Sequence, residues 1–416
     1  MENSNSGQMF IQDIFDTPEQ SGGISYAYPL QNIRELTPLP DGYIPFYISH
    51  FGRHGSRYLV DDNEYKHVLD TFRHANSCDA LTSLGRDLYE RLKIIWSVVR
   101  GNGGNLTPLG IRQLTGIAER MQRQYPEVFT ANAKVTAVST TSERCIYSME
   151  IFCGKLKELC PGLHIAEDAD PRHMDYLNYH TKEAVSFRYN PDTWIGKYKE
   201  FEKEHVNPDR LITALFSDED YVKGSINPVS LIWDLYNIAG ILQNMDISIS
   251  LYDLFEKKEL FDLWQCKNYS LYVQYANAAE NQGMMMENAK PLLKNIIESA
   301  DHIIETKDIG ASFRFGHDGN IIPLAMLLHL QDFYNSISDP SEFYNAWNDF
   351  KVSPMAANIQ IIFFRNEISH DVLVKFLHNE QEILIPPVES EILPYYRWQD
   401  LKEYYNSLLS THPLPQ

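Results

Sequence analysis

Residues Tyr43–Tyr58 read YIPFYISHFGRHGSRY, a stretch that carries both a structural and a chemical signal. Its first half, Tyr43–Ser49, is an aromatic and β-branched run of one strand's length. The run ends in Arg53-His54-Gly55-Ser56-Arg57, where glycine permits a sharp turn and close approach of the backbone. A neutral imidazole is a nucleophile at phosphorus, and a phosphohistidine divides one hard displacement into two easier ones. Arginines on either side supply planar, permanent charge for the ester's anionic oxygens. An Arg-His-Gly-x-Arg run arises by chance in a chain of this length about once in several hundred cases. Its place after a strand favours a site over a pair of ordinary surface ion pairs.

Working outward, residues 1–42 read as an irregular arm punctuated by Gly22, Gly23, Pro38, Pro40 and Gly42. Helical periodicity runs from about 64 to 99, with a polar break near 76–79. LTPLGIRQ (106–113) starts a helix, with Thr107 as N-cap and Pro108 in the first helical position. KVTAVS (134–139) is a buried strand, and Thr140, Thr141 and Ser142 can cap the helix carrying Arg144. From 162 to 304 the chain is rich in Tyr, Asp, Asn and Lys, helical in period and without convincing strands. Strands return at 311–315 and 359–364, followed by a hairpin of 372–377 with 382–385, and a helix over 398–409. The expected architecture is an α/β domain, 43–161 with 305–416, interrupted by an inserted, mostly helical domain over 162–304. Ligands in such sheets bind beyond the carboxyl ends of the strands.

The whole chain sets wide limits. It has 416 residues, 44% hydrophobic and 22% charged, as in an ordinary globular protein with an ample core. No run reaches the length of a membrane span. A net charge of −20 argues against nucleic acid as a partner, yet a local cation cluster in a cleft can still hold a small phosphate. Five cysteines, at 78, 145, 153, 160 and 266, lack metal-site spacing and read mostly as buried free thiols. The opening MENSNSGQMF has no signal-peptide layout, which fits a cytoplasmic protein or the mature form of an exported one.

A second cluster, Phe315-Gly316-His317-Asp318-Gly319-Asn320, also follows a strand and precedes an apolar helix. Alone, Asp318 would read equally well as a helix cap; beside the first motif it reads as chemistry. His370-Asp371 precedes its strand and reads as a turn. His50 and His54 lie on a strand and its turn, an unsuitable pair of metal ligands.

These two motifs, with LTPLGIRQ, the Arg144 segment STTSERCIYS and YYRWQDLKEY, resemble the histidine acid phosphatases, the second branch of the histidine phosphatase superfamily. The resemblance spans about Tyr43 to Leu409. It implies that His54 is the nucleophile and that Arg53, Arg57 and Arg144 bind phosphate. It implies further that His317 is another phosphate contact, that Asp318 is the proton donor, and that no cofactor or metal is required. His180, Lys182 and Arg188, in the helical insertion, fall where the family places substrate-facing residues. Two departures bear on specificity. Leu59 replaces a proline common in the first motif. His317-Asp318 matches phytases and acid phosphatases, whereas SHFGRHGSRY looks more like the inositol-polyphosphate phosphatases, which carry His-Ala-Glu. The expected activity is hydrolysis of phosphomonoesters, inositol phosphates first. Sugar-phosphate or broad-specificity phosphatase activity is the alternative, and a phosphate-binding protein without turnover is the non-enzymatic one. By resemblance the protein is periplasmic or secreted.

Overall fold

The computed structural model describes residues 11–29 and 35–411. Its centre is β1 (Tyr43–Arg53), which runs past the aromatic segment to the first motif arginine itself. Around it are β2 (Lys134–Ser139), β3 (Ile165–Asp168), β4 (Gly310–Gly316), β5 (Asn358–Asn366), β6 (Val372–His378), β7 (Gln381–Glu382) and β8 (Tyr395–Arg397). The sheet order is β3-β2-β4-β1-β5-β6-β7, with β8 pairing to β6. β3, β2, β4 and β1 are parallel, while β5 is antiparallel to β1 and β6 to β5. The parallel register sets Arg53 opposite Gly316 and Ser139 opposite Phe315. Both chemical motifs therefore leave the sheet at one edge, side by side.

Along β1, β4, β5 and β6 both faces of the sheet are buried, whereas β2 alternates buried and exposed residues. Tyr47 and Phe51 of β1 join Ile359, Ile361 and Phe363 of β5 on one face. Ile48 joins Phe313, Phe315, Ile362 and Phe364 on the other. His50 belongs to this second face, stacked on Phe152 at 5.3 Å. Burial, and secondarily Arg314, lowers its pKa to about 3, so it is a neutral core residue.

The helices include α1 (Asn63–Ser77), α2 (Ser83–Val99), α3 (Pro108–Gln124), α4 (Glu143–Leu159), α5 (Lys182–Tyr189), α6 (Pro228–Leu242), α7 (Lys257–Tyr275), α8 (Lys290–Thr306), α9 (Asp318–Leu327) and α10 (Trp398–Ser410). Helices α3 and α4 cover the second face, while α1, α2 and α6 to α10 supply core residues to the first. The fold class is the expected α/β arrangement with many helices.

Four local expectations change. The stretch from 162, read as strand-free, contains β3, whose four residues pair in parallel with β2. The strand expected over 382–385 shortens to Gln381–Glu382: it follows a tight turn in which Asn379 and Glu380 take positive φ, and Ile385 N donates to Tyr396 Oη at 2.8 Å instead of to a strand. The arm is less irregular than its glycines suggest: Pro18–Ser25 forms 3₁₀ turns with Ser21, Gly22 and Gly23 buried. Its residues 1–10 and 30–34 lie outside the described residues. Ser142 takes the N-cap position of α4 without a capping side-chain bond.

Helix α3 starts as its sequence requires, with Thr107 Oγ1 accepting from Gly110 N at 3.2 Å as a cap and Pro108 following. Gly110 has a second use. A Cβ there would lie 2.2 Å from the Ser56 carbonyl oxygen, so only glycine lets α3 dock on the motif turn. We predict that Gly110→Ala loses about 1–3 kcal/mol of stability, as overpacking against backbone does. Urea unfolding checks this; an unchanged midpoint would contradict the contact.

Candidate active site

The turn after β1 is pinned at nearly every polar group. Arg53 N donates to Ala357 O at 2.7 Å, His54 N to Gly316 O at 3.1 Å, and Ala356 N to His54 O at 3.0 Å. Gly55 N donates to Ser148 Oγ at 3.2 Å. Ser56 N donates to Gln113 Oε1 at 3.0 Å, and Ser56 Oγ to Asn244 Oδ1 at 2.6 Å. A glycine-containing turn that would be loose in isolation is thus held by the sheet, α3, α4 and the end of α6.

His54 is buried and its Nδ1 lies 3.0 Å from the Gly55 carbonyl. A carbonyl only accepts, so Nδ1 carries the proton and Nε2 presents the lone pair. Burial first, then Arg53, Arg57 and His317, hold its pKa well below 6.5. The imidazole is therefore neutral and free to attack through Nε2.

Arg53 is fully buried, and its Nη1 donates to two carbonyls, Ile24 O at 2.6 Å and Ser353 O at 2.8 Å. Its Nε and Nη2 have no hydrogen-bond partner in the protein. That leaves the bidentate edge of the guanidinium unspent. Arg57 donates from Nη1 to Tyr58 O at 2.7 Å and keeps a buried, unpartnered Nε. Burial, then Arg53, lowers its pKa to about 10. Arg144, from α4, likewise has an unpartnered Nε.

His317 faces His54 edge-on, with ring centroids 5.7 Å apart. Its Nδ1 accepts from Arg144 Nη2 at 3.4 Å, which leaves the proton on Nε2, 3.2 Å from Thr140 Oγ1. Both contacts are long enough to be exchanged for a phosphate oxygen. Burial, with Arg144 next, lowers its pKa to about 4. Asp318 is the first residue of α9, with His317 in the N-cap position, so it is not the cap itself. Its Oδ2 lies 3.9 Å from Arg53 Nη2. Burial pushes its pKa up, but Arg53, His317, Arg57 and a backbone N–H outweigh that and hold it below the usual value.

The structure thus gathers His54, Arg53, Arg57, Arg144, His317 and Asp318 at one sheet edge. The three insertion residues stand apart from this cluster. Lys182 is exposed and lines a surface hollow with Glu183, Phe187 and Glu287. His180 is half-buried, its pKa lowered to about 4 by burial and then Arg188. Arg188 is buried, donating to Gln274 O at 2.9 Å and lying 4.2 Å over the Tyr275 ring. Tyr275 in turn packs on Gly319, beside Asp318.

Sequence reasoning missed Lys267 of α7, which donates to Asn237 Oδ1 at 2.9 Å; burial lowers its pKa, with Asp349 opposing this and Arg57 adding to it. A lysine inside the mostly buried stretch Leu260–Val273 is the signal that was available. All five cysteines are free. Among the described residues no group of three His, Cys, Asp or Glu could hold a metal, and no helix is long and apolar enough to cross a membrane.

The chain is 22% identical to multiple inositol polyphosphate phosphatase 1 of Gallus gallus over 329 residues, covering 73% of this chain and 69% of the relative. Its fold matches the Bifidobacterium longum multiple inositol polyphosphate phosphatase, solved in complex with inositol hexasulfate. The TM-score is 0.76 at 18% identity, over 93% of this chain and 97% of that one. The phytase from D. castellii matches with a TM-score of 0.67 at 15% identity, over 94% of this chain and 85% of that one. The family described as histidine phosphatase superfamily (branch 2) matches residues 51–379, and this chain belongs to it.

Proposed function

We propose that this phosphatase hydrolyses phosphomonoesters through a phosphohistidine on His54, with inositol phosphates as its preferred substrates. The observation that carries the reading is the set of unspent donors: Arg53 Nε and Nη2, Arg57 Nε and Arg144 Nε, all buried around a neutral imidazole. Three guanidiniums converge where Asp318 is the carboxylate in ion-pair reach, which calls for a dianion. His54 Nε2 attacks phosphorus while the ester P–O bond breaks, and Asp318 delivers a proton to the departing oxygen. Water then attacks the phosphohistidine, Asp318 takes its proton, and orthophosphate leaves. His317 orients a phosphoryl oxygen. Asp318 must hold a proton at the start, and the substrate's own negative charge favours this by offsetting the arginines.

The relatives' ligands support an inositol phosphate, and Lys267 adds positive charge on the helical side. His180 and Lys182 are proposed to face further phosphates, with Arg188 supporting Tyr275 rather than touching substrate. We also propose the division into an arm (1–42), an α/β unit (43–161 and 305–416) and a helical insertion (162–304), with Ile165–Asp168 counted on the sheet side. A periplasmic or secreted site of action belongs to the same proposal; export would leave the cysteines as free thiols.

Two experiments test it. His54 has its pKa lowered, so the neutral form persists as pH falls below 6.5 and is lost only well beneath it. The acid limb of kcat/KM, corrected for substrate ionisation, should show no inflection near 6.5; one there would contradict a buried nucleophile. If Asp318 is the acid, its removal matters most for poor leaving groups. Asp318→Asn should slow inositol or sugar phosphate hydrolysis about a hundredfold to ten-thousandfold and nitrophenyl phosphate much less, whereas His54→Ala abolishes both. Equal losses in Asp318→Asn would reduce Asp318 to a phosphate-orienting role.

A further inference from the structure

The N-terminal arm reaches the catalytic turn through a row of backbone carbonyls. Ile24 O accepts from Arg53 Nη1 at 2.6 Å. Ser25 O accepts from Asn244 Nδ2 at 2.7 Å, and the Oδ1 of the same amide accepts from Ser56 Oγ at 2.6 Å. Tyr26 O accepts from Met355 N at 2.8 Å, next to the Ala356 N that donates to His54 O. Tyr28 O accepts from Gln113 Nε2 at 3.4 Å, and Gln113 Oε1 accepts from Ser56 N at 3.0 Å. Four carbonyls within five residues thus lead, directly, through one side chain or through the Met355–Ala356 backbone, to Arg53, His54 and Ser56.

The arm is itself locked from behind. Asp349 is fully buried and accepts from Ile24 N at 3.2 Å and from Trp264 Nε1 at 2.9 Å. Tyr236 Oη donates to Ser21 O. Gly23 has φ +58°, and a Cβ there would lie 2.2 Å from Asp349 Oδ2. The chain must be glycine at the point where it folds over that carboxylate.

We infer that Ser21–Tyr28 is a strap that sets the aim of Arg53 and the shape of the catalytic turn, with Asn244 and Asp349 as positioning residues. With Nη1 tied to Ile24 O and Ser353 O, rotation of the guanidinium is blocked and its Nε–Nη2 edge is fixed toward the phosphate position. The inference rests on the reading that Arg53 binds the phosphoryl group.

The test measures orthophosphate inhibition of the full chain. Gly23→Ala and Asn244→Ala should each raise the inhibition constant about tenfold, a coupling of ordinary size. Leu401→Ala, which removes a buried side chain of α10, controls for lost stability and should leave that constant within about twofold even at a larger fall in Tm. Arg53→Ala separates the two claims. If it still binds orthophosphate normally, the site reading fails; if it loses binding while the strap variants keep it, the strap alone fails. Hydrogen exchange on the unaltered protein gives a readout that does not depend on any variant folding. Coupling is reciprocal, so saturating orthophosphate should slow exchange at Ile24 and at Ala27, whose N donates to Gln243 Oε1 at 3.1 Å; unchanged rates there would overturn the strap.

Discussion

The site is organised around a buried guanidinium that is only half satisfied. Arg53 spends Nη1 on the carbonyls of Ile24 and Ser353 and keeps Nε and Nη2 without partners. A buried donor left unmet costs about 1–3 kcal/mol, more when it is charged. A bound phosphoryl group answers these donors, so part of the binding energy is stored in the fold as unmet hydrogen bonds. The rest of the structure serves that arrangement. β1 extends to Arg53, the parallel register sets Gly316 beside it, and the arm and Ser353 hold its far side.

Charge at the site runs against charge on the surface. The chain carries −20 overall, yet three arginines meet at the carboxyl edge of the sheet. Burial first, and then the same positive field that would hold a phosphate, keep His54 unprotonated, so one arrangement both binds the electrophile and helps prepare the nucleophile. It also holds the Asp318 carboxyl below its ordinary range. An acid role for Asp318 therefore ties protonation to substrate arrival, because a dianion in the pocket cancels the field that strips the proton.

The parts of this site that are local in sequence were legible there. A strand, two glycines and an Arg-His-Gly-Ser-Arg run sit within Tyr43–Tyr58, and the strand–His317-Asp318–helix pattern repeats the placement. Thr107 and Pro108 announce α3 in the same way. What was not legible depends on long-range contact. Asn244 lies 188 residues from the Ser56 hydroxyl it accepts from, and Ile24 looks like part of a glycine-rich arm until Arg53 is seen bonded to it. In sequence Lys267 is one polar residue in a helix, with nothing local to fix its role. β3 escaped notice because Ile-Ala-Glu-Asp has neither β-branched density nor clean alternation, and its pairing with β2 supplies what propensity lacks. Gly110 was visible as a residue, but its reason, the Ser56 backbone, was not.

The central claim is that His54 accepts the phosphoryl group, and trapping that intermediate tests it most directly. The enzyme would be mixed with a radiolabelled phosphomonoester, quenched in alkali during turnover to preserve phosphohistidine, and digested for peptide mapping. The account predicts label on the peptide containing His54, which is lost when unlabelled substrate is added before the quench. Label on another residue, or steady turnover with no labelled enzyme under conditions that preserve phosphohistidine, would contradict it.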